Sequence, residues 1–161
     1  FKNQKTAQQD SIKNFCKKIS VIKKSRKSDD FFIVARIESF ILGQGLKDAL
    51  KRANSYSKAG ADAILIHSKE NTPKQIFSFA KEFKKSKFFK PMIAVPSSYS
   101  KTYEKDLIKH GFSVVIYANH LLRASYKIMK KTALEILKYK RSFETEKDIV
   151  SVKDILMVKP E

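Results

Sequence analysis

The sequence has one cysteine, four glycines and no apolar run that could cross a bilayer. Cys16 has no partner for an internal disulfide, which fits a reducing compartment. The longest apolar runs, residues 63–66 and 114–118, are far shorter than the roughly 20 residues of a membrane-spanning helix. We therefore predict a cytoplasmic protein with no membrane partner.

Several chemical signatures are also missing. Gly43-Gln44-Gly45 lacks the third glycine of a dinucleotide-binding loop. The three histidines and Cys16 do not have metal-ligand spacing, and no Gly-x-Ser-x-Gly elbow is present. We expect any nucleophile or metal ligand to lie outside these residues.

Acidic residues are scarce: 34 Lys and Arg against 16 Asp and Glu give a formal charge of +18. Only five of the basic residues are arginine, and the lysines are spread over every predicted helix. The densest stretches, 17–27 and 81–90, lack the stacking aromatics of an RNA-binding motif. We interpret the lysines as a solvated surface with no specific nucleic-acid partner. Polyanion binding through counterion release remains the alternative.

Four apolar, β-branched runs recur at residues 31–35, 61–66, 92–95 and 113–117. They are almost continuously apolar, which is typical of parallel strands buried on both faces. Each is followed by a segment with helical periodicity, so the pattern predicts repeated strand-helix units.

The predicted helices cover residues 12–22, 46–56, 101–110 and 121–139, with another near 76–83. Gly60 and Gly111 are predicted stop signals. Thr72 and Pro73 are predicted as the N-cap and the first helical residue. Ser151 and Asp154 have capping-box spacing, which predicts a short final helix.

Repeated units of this kind form either an open doubly wound sheet or a closed eight-stranded barrel. Four units are half of a barrel, and no dinucleotide motif supports the open sheet. The predicted fold class is α/β, as half of a (β/α)₈ barrel, with residues 1–161 forming a single partial domain.

Polar residues follow each predicted strand, where parallel α/β folds gather their ligand sites. Arg36 is the most informative, because a guanidinium leaving a buried strand needs a fixed anion. That anion is either a substrate or a carboxylate such as Glu38. His67 is a candidate to bind the same anion or move a proton.

The other strand-end residues are candidate donors to a substrate or caps of the next helix. They are Ser68, Ser97, Ser98 and Asn119. Glu38 orients Arg36 or lies in the outer shell of a metal, and the plain ion pair is the simpler interpretation. His110 and His120 are expected on helices.

Four segments closely resemble phosphoenolpyruvate mutases of the isocitrate lyase superfamily. They are FFIVARIESFILGQGLKDALKRANSYSKAGADAILIHSK, MIAVPSSYSKT, VVIYANHLLRAS and IVSVKDIL. The resemblance implies strands five to eight of the barrel, without the amino-terminal half. It also implies terminal helices that pack on or swap with a neighbouring subunit, giving dimers or tetramers.

The resemblance implies that Arg36 contacts the anionic end of the substrate and that His67 lines the same pocket. The implied reaction interconverts phosphoenolpyruvate and phosphonopyruvate at the start of phosphonate biosynthesis, with Mg²⁺. The nucleophilic aspartate and the Mg²⁺ ligands are implied in the absent half, so we expect these residues alone to be inactive. A phosphonopyruvate hydrolase or another C–C or C–P lyase of the superfamily is the first alternative. A noncatalytic half-barrel that binds polyanions is the second.

Overall fold

The computed structural model describes residues 8–158. These residues divide into two compact units, the first ending at Ala118 and the second beginning at Asn119. The first unit alternates helices and strands in the order α1 (Ile12–Ser25), β1 (Val34–Ile37), α2 (Gly45–Ala59), β2 (Ala63–Ile66), α3 (Lys74–Phe83), β3 (Met92–Ala94), α4 (Glu104–Lys109), β4 (Phe112–Val115).

The four strands form one parallel sheet in the order β1-β2-β3-β4. Arg36 of β1 lies opposite Leu65 of β2. Between β3 and β4 the register shifts, because Met92 pairs with Phe112 and Ile93 pairs with Val114. Ser113 is therefore an extra residue, as in a β-bulge. The predicted α/β class and parallel order are confirmed.

Successive strand side chains point to opposite faces of the sheet. One face packs under the helices in the main core, with Ala35, Ile37, Ile64, Ile66, Met92 and Ala94 among its members. The other face carries a smaller apolar cluster of Ala63, Leu65, Ile93 and Val95. Arg36 alternates with Ala35 and Ile37, so it lies on this second face.

The first strand begins three residues later than the sequence predicted. Phe31 and Phe32 are exposed, and the Phe31 backbone N–H bonds to the Ser28 carbonyl in a turn. The Arg26 guanidinium donates to the Phe31 carbonyl at 3.2 Å. These bonds hold residues 28–31 in a turn, so aromatic β-propensity alone did not place the strand.

Asp62 fastens the amino-terminal end of the sheet. Its carboxylate accepts the Ile33 backbone N–H at 3.0 Å and an Arg26 N–H at 2.9 Å. Lys23 lies 3.3 Å away. Burial raises the pKa of the Asp62 carboxyl, but these hydrogen bonds and positive charges outweigh it and hold the pKa below its ordinary value.

The helix ends agree only in part with prediction. Gly60 ends α2 in the left-handed conformation, with φ 114°, as predicted. At α3 the prediction was wrong, because the helix begins at Lys74, Pro73 is the N-cap, and no side chain caps it. The helix predicted from residue 101 begins at Glu104, since residues 99–102 form a turn closed by Thr102 N–H and the Tyr99 carbonyl.

The second unit contains α5 (His120–Tyr139), a 3₁₀ helix (Phe143–Asp148) and α6 (Val152–Met157). Lys131 of α5 pairs with Asp148 of the 3₁₀ helix at 2.5 Å. The predicted cap of the last helix is confirmed, because Ser151 Oγ accepts the Asp154 backbone N–H at 3.1 Å. No helix within residues 8–158 combines the length and apolarity of a membrane span.

Candidate functional site

The carboxyl ends of β1 and β2 bring the two main candidate residues together. The His67 backbone N–H donates to the Ile37 carbonyl at 3.3 Å, so the parallel ladder continues past the end of β2. Arg36 Nη2 lies 2.7 Å from His67 Nδ1. The two side chains thus emerge side by side at one edge of the sheet, while their predicted contact with an anionic ligand stays a prediction.

Glu38 joins this pair into a cluster of three. Its Oε1 accepts a hydrogen bond from Arg36 Nε, and its Oε2 lies 3.5 Å from His67 Nδ1. The predicted ion pair between Arg36 and Glu38 is therefore present. Arg36 nevertheless remains 53% exposed, against 22% for His67, so part of its guanidinium faces solvent.

The contacts of Glu38 fix its charge. The Arg36 guanidinium can only donate, and His67 Nδ1 lies close both to Arg36 Nη2 and to Glu38 Oε2. Burial raises the pKa of Glu38, but hydrogen bonds with His67 and Arg36, together with their charges, outweigh it and leave the pKa below its ordinary value. Glu38 is therefore a carboxylate at neutral pH.

A cavity of about 650 Å³ opens beside the cluster. Its charged lining includes Lys18, Arg36 and Lys69 against Asp10 and Glu38, and its apolar lining includes Phe15, Ile41, Leu42 and Tyr56. Lys18 is paired with Asp10 at 2.6 Å, whereas Lys69 donates to the neutral Ile41 carbonyl at 3.0 Å. A cavity with surplus positive charge favours a small anion.

The other candidate residues have different surroundings. Ser68 is buried, donates to Gln75 Oε1 at 2.7 Å and accepts the Glu70 backbone N–H at 3.2 Å. Its hydroxyl thus stabilises the turn after β2. Ser97 Oγ is buried and has no hydrogen-bond partner within the described part of the chain.

The remaining candidate, Asn119, belongs to the second unit. It is the N-cap residue of α5, but its side chain makes no capping hydrogen bond. Its predicted contact with substrate therefore stays a prediction.

Sequence reasoning missed two residues near the cluster. Gln9 accepts the Glu38 backbone N–H at 2.9 Å across 29 residues of chain, and no local pattern signals such a contact. Lys69 lines the cavity and follows the predicted His67-Ser68 pair directly, so its position was the available signal. Within residues 8–158, no three His, Cys, Asp or Glu side chains are placed to hold a metal ion.

Comparison with known proteins gives the same assignment from sequence and from fold. The sequence profile of phosphoenolpyruvate phosphomutase matches residues 2–137. The chain is 39% identical over 150 residues to the phosphoenolpyruvate phosphomutase of Tetrahymena pyriformis, an alignment that covers 93% of this chain and 49% of that protein. It thus spans about half the length of this relative.

Two solved structures share the fold, each with a TM-score of 0.83 and 34% identity. A crystal structure of phosphoenolpyruvate phosphomutase from Streptomyces platensis subsp. rosaceus is matched over 91% of this chain and 50% of that chain. A phosphonopyruvate hydrolase in complex with oxalate and Mg²⁺ is matched over 91% and 51%. Profile, identity and fold agree, and the chain belongs to the phosphoenolpyruvate phosphomutase family.

Proposed function

We propose that this chain supplies half of the active site of a phosphoenolpyruvate mutase, which interconverts phosphoenolpyruvate and phosphonopyruvate. In this isomerisation the bond from phosphorus to the enol oxygen breaks and a phosphorus–carbon bond forms, with no atoms gained or lost. The observation that carries the proposal is the contact of Arg36 with His67 beside a cavity of surplus positive charge. Family membership supports it.

In this proposal Arg36 holds the phosphoryl group. Glu38 fixes its Nε edge, so the guanidinium plane is set before a ligand arrives. Nη1 makes no hydrogen bond within residues 8–158, and it would donate to phosphoryl oxygens. Positioned donors of this kind stabilise charge that moves during phosphoryl transfer.

His67 would donate to the same group through Nε2–H, because Arg36 occupies its Nδ1. Ser97 is a weaker candidate donor, since its buried hydroxyl has no partner within the described residues. We keep Ser68 and Asn119 as lesser candidates. Ser68 already has two partners.

The predicted Mg²⁺ ion does not fit the residues described. Residues 8–158 contain no ligand cluster, and both Glu38 oxygens face Arg36 and His67. An outer-shell role for Glu38 is therefore its only remaining link to a metal. The nucleophile and the metal ligands would come from a complementary half-barrel.

The test is a hybrid protein that joins the amino-terminal half of the Tetrahymena pyriformis relative to this chain. We expect this hybrid to convert phosphonopyruvate into phosphoenolpyruvate, and ³¹P NMR would measure the conversion. Arg36→Lys should lower kcat/KM by about tenfold or more, because a lysine cannot replace the planar fork.

Arg141→Lys is the matched control. Arg141 also pairs with a carboxylate, Glu144 at 2.5 Å, but it lies in the second unit. Turnover should not change in this variant. A hybrid that has the circular dichroism and size of its parent, yet converts no phosphonopyruvate, would overturn the proposal.

The hydrolase reaction is the competing function, because the hydrolase structure matches as well as the mutase structure does. Hydrolysis would release inorganic phosphate and pyruvate. A second hybrid with the amino-terminal half of a phosphonopyruvate hydrolase separates the two. We would assign this chain to the mutase or to the hydrolase according to which amino-terminal half gives the hybrid with the faster reaction.

We also propose that α5 and α6 pack against another subunit. None of the residues of either helix is buried. Leu121 is 84% exposed and Leu156 is 76% exposed, which is unusual for leucines that have no partner to cover them. A cytoplasmic location, supported by the single cysteine, completes the proposal.

A further inference from the structure

The segment that precedes α1 is attached to the loop that follows β1 through one side chain. Gln9 Oε1 accepts the Glu38 backbone N–H at 2.9 Å. Gln9 Nε2 donates to Gln44 Oε1 at 2.7 Å and to Ser39 Oγ at 3.3 Å. One amide group thus bridges both ends of the loop from residue 38 to residue 44.

A buried polar network supports this bridge from behind. Ser39 is fully buried and donates to Asp48 Oδ2 at 2.7 Å. Arg52 Nε donates to the same oxygen at 2.8 Å, and Arg52 Nη1 donates to the Asp10 carbonyl at 2.9 Å. Asp10 is the residue next to Gln9, so these hydrogen bonds form a closed ring.

The bridge ends at a residue of the candidate site. Glu38, whose backbone Gln9 holds, binds Arg36 Nε through its side chain and lies near His67 Nδ1. Fixing the Glu38 backbone therefore limits how far its carboxylate, and with it the Arg36 guanidinium, can move. Groups held by such supporting hydrogen bonds keep their geometry better than groups left free.

We propose that Gln9 is a positioning residue for the Arg36–Glu38–His67 cluster, a role that rests on the proposed function. It acts through Glu38. An amide suits this place because it accepts from one loop end and donates to the other at once, which neither a carboxylate nor an ammonium group can do.

The test compares Gln9→Ala with Asn54→Ala, in the whole chain and in the hybrid protein. Asn54 is likewise an amide that joins two segments, since it donates to the Leu50 carbonyl at 2.9 Å and accepts from Ser86 Oγ, but it is not among the residues that line the cavity. The chain has three histidines, so labelling them with ¹³C and ¹⁵N gives three ring signals. His110 is an internal reference, because its ring stacks on Phe77 at 3.6 Å.

We expect Gln9→Ala to shift the His67 ring signals and leave those of His110 in place. The affinity of the hybrid protein for phosphonopyruvate, measured as KM, should fall by about tenfold, since small misplacements of binding groups are costly. Asn54→Ala should change neither reading. A purely structural loop contact would lower stability without moving the His67 signals or the affinity.

The outcomes separate this inference from the proposed function. If the wild-type hybrid does not bind phosphonopyruvate, the proposed function fails, while the His67 signals of the chain alone still report on positioning. If the wild type binds and Gln9→Ala binds equally well with unmoved His67 signals, the inference is overturned. Should Gln9→Ala unfold, Gln44→Ala decides, because it removes a partner of Gln9 and should shift His67 in the same direction.

Discussion

Arg36 shows how two interpretations of one residue can both hold. The sequence left open whether its anionic partner is a substrate or Glu38. The structure gives it Glu38 as a partner and still leaves the side chain 53% exposed beside a cavity. An intramolecular ion pair that fixes one edge of a guanidinium leaves the other edge ready for a ligand.

Glu38 should make the stability of the first unit depend on pH. Its folded-state pKa lies below the ordinary value of 4.5. Its contribution is therefore fully present above about pH 4.5 and is lost as pH falls through the lower folded value. We expect the free energy of unfolding of the wild type to exceed that of Glu38→Gln by about 1 kcal/mol at pH 7. This difference should disappear below about pH 4.

Urea denaturation at several pH values measures this difference. Glu146→Gln is the control, because Glu146 is an exposed glutamate of the second unit. A constant gap between wild type and Glu38→Gln from pH 3 to pH 7 would contradict the prediction.

The meeting of Arg36 with His67 was predictable because Arg36 lies near the end of β1 and His67 follows β2, and the strands of a parallel sheet end at one edge. Gln9 was not predictable. Its contact with Glu38 crosses 29 residues and depends on how α1 approaches the sheet, which periodicity does not encode. The half-buried Asp48–Arg52 pair lies at helical spacing, but the hydrogen bond from Arg52 to the Asp10 carbonyl is likewise a tertiary contact.

Among the elements, strands and helices were placed well where the apolar residues formed a continuous run or a helical period. The β2 and β3 runs are buried along their whole length, and their predicted bounds differ from the observed ones by two residues or fewer. The errors fell at ends governed by turn hydrogen bonds, as before β1, or at a proline, as before α3. Turn geometry is decided by contacts that propensity does not describe.

Gly60 offers a test at the level of one helix end. Its φ of 114° lies outside the range that alanine tolerates well, and an added Cβ would lie 3.1 Å from Lys23 Cγ. We expect Gly60→Ala to lower the free energy of unfolding by about 2 kcal/mol.

Gly43→Ala is the matched control, since Gly43 has φ 72° and open space around its Cβ position. It should cost about 1 kcal/mol or less. Chemical denaturation gives both values. Equal losses in the two variants would show that φ and crowding at Gly60 do not matter.

At the scale of the whole molecule, the described sheet has four strands where a closed barrel has eight. Strands β1 and β4 each have one unpaired edge among the described strands, and open edges favour association. The exposed apolar residues of α5 and α6 form a second surface that favours association. The net charge of +18 opposes association but does not cover these surfaces.

We therefore expect the chain alone to be inactive and to self-associate, with a mass by light scattering well above the 18.5 kDa monomer. A Leu121→Lys, Leu156→Lys double variant should lower that mass if the terminal helices form the contact. Lys127→Glu, an exposed change on α5 that removes no apolar side chain, is the control. A monodisperse wild-type monomer that unfolds cooperatively would contradict this expectation.

Asp62 stabilises the sheet at the end opposite to Arg36. This separation affects which residues can be substituted during evolution. Residues that anchor the starts of the strands can be exchanged, or strengthened by design, without entering the space where a ligand would lie. Substitutions that alter thermal stability and substitutions that alter ligand binding can thus occur at opposite ends of the sheet. A lineage could drift in one while selection holds the other constant.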